Sequence, residues 1–247
     1  MMRYCFGIDI GGTTVKIGLV TENGTLVEKG EIPTRREDTP TGLLEDIKAF
    51  LEECLRKRGI EKEEILGIGM AAPGPVTEDG VLHGTVNIGW GDVALAREAE
   101  RCIGISPVYL GNDARMAALG EATYGAGIGA RSMLMVTIGT GVGGGIVLNG
   151  RVRMGESGVA GEIGHTTVNP FETERCGCGK RGCLEQYASA TGMVRMAKKI
   201  LAERTEDSLL RHCDEVTAQV LWEAAKEGDL LADVITDMVC EFLGIAI

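Results

Sequence analysis

Apolar and polar positions alternate along residues 6–20, where the sequence reads FGIDIGGTTVKIGLV. This alternation on both sides of a glycine-rich segment predicts two strands joined by a tight turn, and Asn23-Gly24 predicts a further turn. Residues 134–148 repeat the arrangement around Gly139-Thr140-Gly141 and lead to Asn149-Gly150. The repetition predicts two duplicated domains whose glycine turns face a shared cleft, and chance similarity between glycine-rich hairpins is the alternative.

Between the hairpins, the apolar spacing becomes that of a helix. Residues 41–58 carry apolar side chains three and four positions apart and precede Gly59, which predicts a helix ending there. Residues 65–71 contain no polar side chain and predict a buried strand. Other predicted elements are a strand at 108–110 and helices at 93–102, 114–124, 193–203, 215–227 and 230–242. The alternation favours an α/β fold with mixed sheets, in domains of residues 1–115 and 116–247.

Acidic residues outnumber basic ones in this chain of 247 residues, 36 against 25, which gives a net charge of -11. Such a field repels a nucleic acid duplex and an anionic membrane surface, so neither is expected as a partner. The short apolar run at the N-terminus stops at Asp9, and no later segment has the apolar length of a membrane span. We therefore expect a cytoplasmic protein.

The two glycine turns are candidate phosphate-binding sites. Glycines let backbone N–H groups approach an anion, although tight hairpins also need glycine for purely structural reasons. Neither turn is a Walker A loop or a dinucleotide fingerprint, because no Gly-Lys-Ser/Thr follows and each turn leads to a strand. An acid before the first turn can hold Mg2+ through water while the turns hold the phosphates of ATP. The residues of this prediction are Asp9, Gly11, Gly12, Thr13, Gly139, Thr140 and Gly141.

A metal site is predicted from His165, Cys176, Cys178 and Cys183, which follow the spacing His-x10-Cys-x-Cys-x4-Cys. One imidazole and three thiolates complete a tetrahedral Zn2+ site with no open position, so the metal is expected to be structural. A disulfide with one spare thiol is the alternative. The other five of the eight cysteines are scattered and are expected to act as small buried apolar residues.

Taken together, the Asp9-x-Gly11-Gly12-Thr13 and Gly139-Thr140-Gly141 motifs resemble the phosphate motifs of actin/hexokinase-like (ribonuclease H-like) ATPases. Within that group the chain resembles the ROK family (repressors, open reading frames and sugar kinases), specifically its bacterial glucokinases, from Phe6 to its last residue. The resemblance implies duplicated α/β domains with a cleft between them. It also implies transfer of the γ-phosphoryl of ATP to the 6-hydroxyl of glucose.

The resemblance also assigns site residues. An aspartate between a strand and a helix is often only an N-cap, but Asp113 matches the family's catalytic base. Zinc occupies the matching His-Cys positions in the family, so His165 is implied to bind the metal with one ring nitrogen and the sugar with the other. The implied sugar contacts are Asn87, Asn112, Asp113, Glu162, His165 and Glu185.

Alternatives remain open at this point. A ROK kinase for another hexose or an N-acetyl amino sugar differs only in pocket shape, and a sugar-sensing ROK regulator or a chaperone-like ATPase would use the same fold. ROK kinases continue beyond a helix like that at residues 230–242, with an adenosine-binding segment. We therefore expect an incomplete C-terminus and poor ATP binding by this chain. The family resemblance also implies a homodimer.

Overall fold

The computed structural model describes residues 2–85, 88–156 and 158–247. Two compact units divide the chain. The first comprises Met1–Met133 and Val147–Val159, and the second comprises Leu134–Ile146 and Ala160–Ile247. The domain boundary expected after Arg115 stays a prediction, and the compact units are divided further along the chain.

The first unit contains a five-stranded sheet with the order β3-β2-β1-β4-β5. Antiparallel pairing joins β1 to β2 and β2 to β3, whereas β4 is parallel to both β1 and β5, so the sheet is mixed as predicted. Carboxyl ends of the three parallel strands share one edge of the sheet. The strands are β1 (Tyr4–Ile10), β2 (Thr14–Thr21), β3 (Leu26–Pro33), β4 (Ile65–Ala72) and β5 (Val108–Asn112).

The described part of the first unit has three α-helices, α1 (Thr41–Arg58), α2 (Leu95–Ile103) and α3 (Asp113–Tyr124), and a 3-10 helix (Lys62–Glu64). Helix α1 has the predicted bounds, and Gly59 ends it in the left-handed conformation at φ 63°. The alternating apolar positions of the strands form one core with the apolar stripe of α1. Fully buried members of this core are Phe6, Ile10, Leu19, Leu43, Leu44, Ile47, Leu51, Ile68 and Met70.

The opposite face of this sheet contains glycines on three neighbouring strands. Gly7 of β1 pairs with Gly18 of β2 on one side and with Gly69 of β4 on the other, which makes a row of three glycines. Asp9 and Lys16, paired across β1 and β2, are exposed on this same face. The apolar side chains of β1 therefore lie in the core, and its one carboxylate lies on the opposite face.

A three-stranded sheet with the order β6-β7-β8 follows α3. Its strands are β6 (Ser132–Ile138), β7 (Val142–Leu148) and β8 (Arg151–Val152), so both predicted hairpins are present. The division between the units crosses β6 and β7, because Leu134–Ile146 belongs to the second unit and Val147–Val159 to the first.

The second unit is mainly helical beyond its hairpin. It contains a 3-10 helix (Ile163–His165), α4 (Glu185–Ala188), α5 (Ala190–Glu203), α6 (Ala218–Lys226) and α7 (Leu230–Ala246). Helix α5 starts before its predicted position because the Ser189 hydroxyl caps it by accepting the N–H of Gly192. Completely buried core residues of this unit are Leu184, Ala188, Ala197, Leu221, Ala232, Ile235 and Val239.

Within the described part of the chain, no helix is both long enough and apolar enough to cross a bilayer.

Candidate functional site

In the first glycine turn, three successive backbone carbonyls are hydrogen-bonded. The Thr34 hydroxyl donates to the Gly11 carbonyl at 2.7 Å, and the Thr34 N–H donates to the Thr13 carbonyl at 2.9 Å. The Arg36 guanidinium donates twice to the Gly12 carbonyl, at 3.0 and 3.2 Å. No hydrogen bond among the described residues uses the N–H of Gly12 or Thr13. The turn therefore retains donors after its acceptors are satisfied, which suits an anion.

The second glycine turn has the same property. The Gly139 carbonyl accepts the Ala190 N–H at 2.9 Å, and the Thr140 carbonyl accepts the Thr191 hydroxyl at 2.9 Å. The Gly141 carbonyl accepts the N–H of Gly139 at 2.9 Å. In the part of the chain that the structure describes, no hydrogen bond uses the N–H of Thr140 or Gly141. Both duplicated hairpins thus present backbone donors.

Two carboxylates lie near the carboxyl ends of the parallel strands. Asp9 of β1 is in register with Ala71 of β4, which pairs with Gly111 of β5, and Asp113 begins α3 shortly after. Partial desolvation raises the pKa of Asp9, the negative charge of Asp113 raises it further, and Lys16 opposes them. Two carboxylates that interact in this way can share a cation.

Asn112, rather than Asp113, is the N-cap of α3. Its side-chain oxygen accepts the Arg115 N–H at 3.2 Å, and its amide donates to the Gly74 carbonyl at 3.3 Å. The Asp113 carboxylate accepts the N–H of Ala114 at 2.8 Å and is exposed. The capping interpretation that the sequence left open therefore applies to the neighbouring residue. The predicted sugar contact Asn87 lies outside the described residues.

The four predicted metal ligands form one cluster in the second unit, with their ligand atoms all within 4.8 Å of one another. His165 Nδ1 is 3.8 Å from Cys176 Sγ, and Cys178 Sγ is 3.6 Å from Cys183 Sγ. Tetrahedral Zn–S bonds of about 2.3 Å place sulfur atoms about 3.8 Å apart. The residues therefore fit Zn2+ in donor type, number and spacing.

The three thiols differ in their ease of ionisation. Burial raises the pKa of Cys183 to about 12, and the two neighbouring sulfurs add to the effect. Burial also raises the pKa of Cys176. At Cys178 burial favours the neutral thiol, but hydrogen bonds from the Lys180 backbone and the other two thiols outweigh it and lower the pKa. Three thiolates in this volume require a cation to offset their mutual repulsion.

A polar network supports the loop that carries the cysteines. Glu172 accepts a hydrogen bond from the Tyr187 hydroxyl at 2.6 Å and from Arg195 at 3.1 Å. Although burial favours the neutral acid, these bonds and a backbone N–H lower the pKa of Glu172 to about 2. Gly182, at φ 70°, lies against the Asn169 carbonyl, where any side chain would collide. The loop is therefore held by charged hydrogen bonds and by close backbone packing.

Three predicted sugar contacts lie around this cluster. The His165 N–H donates to the Glu162 carbonyl at 3.1 Å within the turn that leads to the 3-10 helix. Glu185 Oε1 lies 3.9 Å from Cys176 Sγ, and its Oε2 accepts the Val142 N–H at 3.0 Å. The predicted convergence of Asp113 with Glu162 concerns two different units and stays a prediction.

Comparison with known proteins places the chain in a family. The sequence profile of the ROK family matches residues 5–247. The chain belongs to the ROK family. A glucokinase from Halalkalibacterium halodurans is 43% identical over an alignment of 249 positions, which covers 99% of this chain and 75% of that protein. The structure of a ROK family glucokinase from Streptomyces griseus, solved with glucose and AMPPNP, has a TM-score of 0.75 and is 33% identical in sequence. The match covers 98% of this chain and 77% of that protein's chain. These likenesses confirm the predicted α/β actin/hexokinase-like fold.

Other similar ROK proteins have different functions. An N-acetylmannosamine kinase from Salmonella typhi is 34% identical, over 96% of this chain and 81% of that protein. A ROK family transcriptional regulator, a homologue of the E. coli MLC protein, matches with a TM-score of 0.86 and 28% identity, over 99% of this chain and 61% of its own. Family membership alone therefore does not specify the sugar.

Proposed function

We propose that this ROK protein is an ATP-dependent sugar kinase that transfers the γ-phosphoryl group of ATP to the 6-hydroxyl of glucose. The observation that carries the proposal concerns the two glycine turns. Their carbonyls all accept hydrogen bonds, whereas the N–H groups of Gly12, Thr13, Thr140 and Gly141 have no acceptor among the described residues. The ROK glucokinases among its relatives support the choice of reaction.

Asp9 and Asp113 have different tasks in the proposed reaction. The turns bind the phosphate oxygens, and Asp9 holds Mg2+ through water beside them. Asp113 accepts the proton of the sugar hydroxyl as the new P–O bond forms, because a neutral hydroxyl is a weak nucleophile. The exposure of Asp113 at the first turn of α3 is compatible with access to substrate.

Sugar recognition in this proposal uses Asn87, Asn112, Asp113, Glu162, His165 and Glu185. Carboxylates accept hydrogen bonds from sugar hydroxyls, whereas an amide offers both a donor and an acceptor, and an imidazole N–H can donate to a hydroxyl oxygen. His165 directs Nδ1 toward Cys176, so Nε2 is the nitrogen assigned to the sugar. Zn2+ held by His165, Cys176, Cys178 and Cys183 would fix the orientation of that ring. The homodimer stays a prediction.

The first glycine turn gives a direct prediction about nucleotide binding. A Cβ at Gly11 would lie 2.7 Å from the Thr14 carbonyl, which accepts the Gly11 N–H at 3.0 Å across the turn. Gly11→Ala is therefore expected to distort the turn and to weaken Mg-ATP binding about tenfold or more, the cost of one charge-assisted hydrogen bond. Calorimetric titration with Mg-AMP-PNP measures the change.

Gly7→Ala provides the matched control, since a Cβ at Gly7 has no neighbour within 4 Å. Gly7 lies in β1, the strand that leads into the turn, and its replacement is expected to leave the affinity unchanged. Equal affinities of the two variants would show that the first turn does not contact the nucleotide.

A coupled assay of ADP release across a sugar panel tests the function itself. The protein is assayed with any residues that its gene encodes beyond Ile247, and glucose, mannose and N-acetylmannosamine are compared. The highest kcat/KM is expected with glucose. Preference for N-acetylmannosamine would favour the alternative of a ROK kinase for an N-acetyl amino sugar, which the 34% identical N-acetylmannosamine kinase supports. Sugar binding without any sugar-dependent ADP release would favour a sensor.

A further inference from the structure

We propose that Glu185 is a positioning residue that fixes the second glycine turn for the nucleotide phosphates, and that it connects this turn to the metal cluster. The inference rests on the proposed function, which places phosphate at this turn. Val142 directly follows Gly139-Thr140-Gly141, and its N–H donates to Glu185 Oε2 at 3.0 Å. The same carboxylate oxygen occupies the space that a Cβ at Gly141 would need.

The other side of Glu185 faces the metal cluster. Its Oε1 lies 3.9 Å from Cys176 Sγ, and Cys176 Sγ lies 3.8 Å from His165 Nδ1. Glu185 is also close in sequence to the last ligand, Cys183, whose N–H donates to the Gln186 side chain at 3.1 Å. The metal loop therefore determines where this carboxylate lies.

The start of helix α5 forms a second connection to the same turn. Fully buried Ser189 donates its hydroxyl to the Glu185 carbonyl at 2.6 Å and accepts the N–H of Gly192 at 2.9 Å. The next two residues, Ala190 and Thr191, bind the turn carbonyls described above. The hydrogen bonds that Glu185, Ala190 and Thr191 make with the turn and with Val142 thus all involve the short segment that follows the last metal ligand.

A side chain of this length suits the position because its terminal oxygen can accept a hydrogen bond from the strand backbone. The N–H of Val142, on the strand that follows the turn, donates to one of the two Glu185 oxygens. A glutamine can accept the same bond through its amide oxygen. An aspartate keeps the charge but is one methylene shorter, so it is expected to lose the contact.

Binding of Mg-AMP-PNP in the absence of sugar tests the inference. Glu185→Ala and Glu185→Asp are each expected to weaken binding about tenfold, the loss expected when the N–H of buried Val142 has no acceptor, while Glu185→Gln stays within about twofold of wild type. Glu203→Ala, an exposed glutamate of α5, is the matched control. Zinc content and thermal melting verify that each variant keeps its fold.

Hydrogen exchange of the peptide containing Val142 is the second readout and needs no nucleotide. Exchange is expected to rise in the alanine and aspartate variants, and in wild-type protein after zinc chelation, but not in the glutamine variant. If wild type, tested with any residues that its gene encodes beyond Ile247, binds no AMP-PNP, the proposed function fails, and exchange alone decides the positioning role. Unchanged exchange and unchanged AMP-PNP binding in Glu185→Ala, with only glucose affinity reduced, would overturn the inference and leave Glu185 as a sugar contact.

Discussion

Replacing Asp113 by asparagine is expected to lower sugar-dependent ADP formation by about a hundredfold to ten-thousandfold, the range of general base catalysis. The side chain keeps its size and can still accept the N–H of Ala114, which the carboxylate now accepts at 2.8 Å. What it loses is the capacity to take a proton from the sugar hydroxyl. Glucose affinity, measured by calorimetry, is expected to change little.

Asp237→Asn is the matched control for this prediction, because Asp237 is exposed on α7. It is expected to have wild-type turnover. If Asp113→Asn retained more than about a tenth of the wild-type rate, a contribution that small would be outside the range for a general base. The proton acceptor would then have to be sought elsewhere.

Loss of one metal ligand is expected to remove the metal and to weaken sugar binding. Cys183 is completely buried and its sulfur lies 3.6 Å from that of Cys178. Cys183→Ala leaves an incomplete ligand set, so bound zinc is expected to fall below about half an equivalent per chain. Without the metal His165 loses its anchor, and glucose affinity is expected to fall about tenfold or more.

Metal analysis of purified protein and calorimetry with glucose measure both effects. Cys240→Ala is the control, since this cysteine is exposed on α7 and is not part of the cluster. Wild-type protein that carried no zinc after purification and still bound glucose with full affinity would contradict the role assigned to the metal.

Local patterns of the sequence were sufficient for much of the fold. The stripe and the terminal glycine of α1 predicted its bounds because both signals are local to the helix. The two hairpins were predicted for the same reason. The predicted helix at 215–227 is shorter in the structure, Ala218–Lys226, because Thr217 is extended and caps it through the N–H of Val220.

The site was predicted less completely than the fold. The spacing of His165 and the three cysteines predicted a cluster, and the structure places their ligand atoms within 4.8 Å of one another. This prediction was possible because the four residues are close in sequence. Thr34, Arg36 and Thr191 were missed, although they hold the carbonyls of the glycine turns. The contribution of Thr34 and Arg36 depends on how distant segments come together in the folded chain, and no local pattern reports that. A Ser-x-Thr pair at the start of α5 was the one local signal available.

Because the division between the two units falls within β6 and β7, the protein cannot be separated into its units at a single position in the sequence. The first compact unit is not contiguous in sequence, since it needs Val147–Val159 in addition to Met1–Met133. A gene fragment stopped after Met133 would lack its β8 strand, and one started at Leu134 would carry that strand without its unit. Separate expression of the two units therefore requires a rearranged gene in which the codons for residues 147–159 are joined to those for residues 1–133.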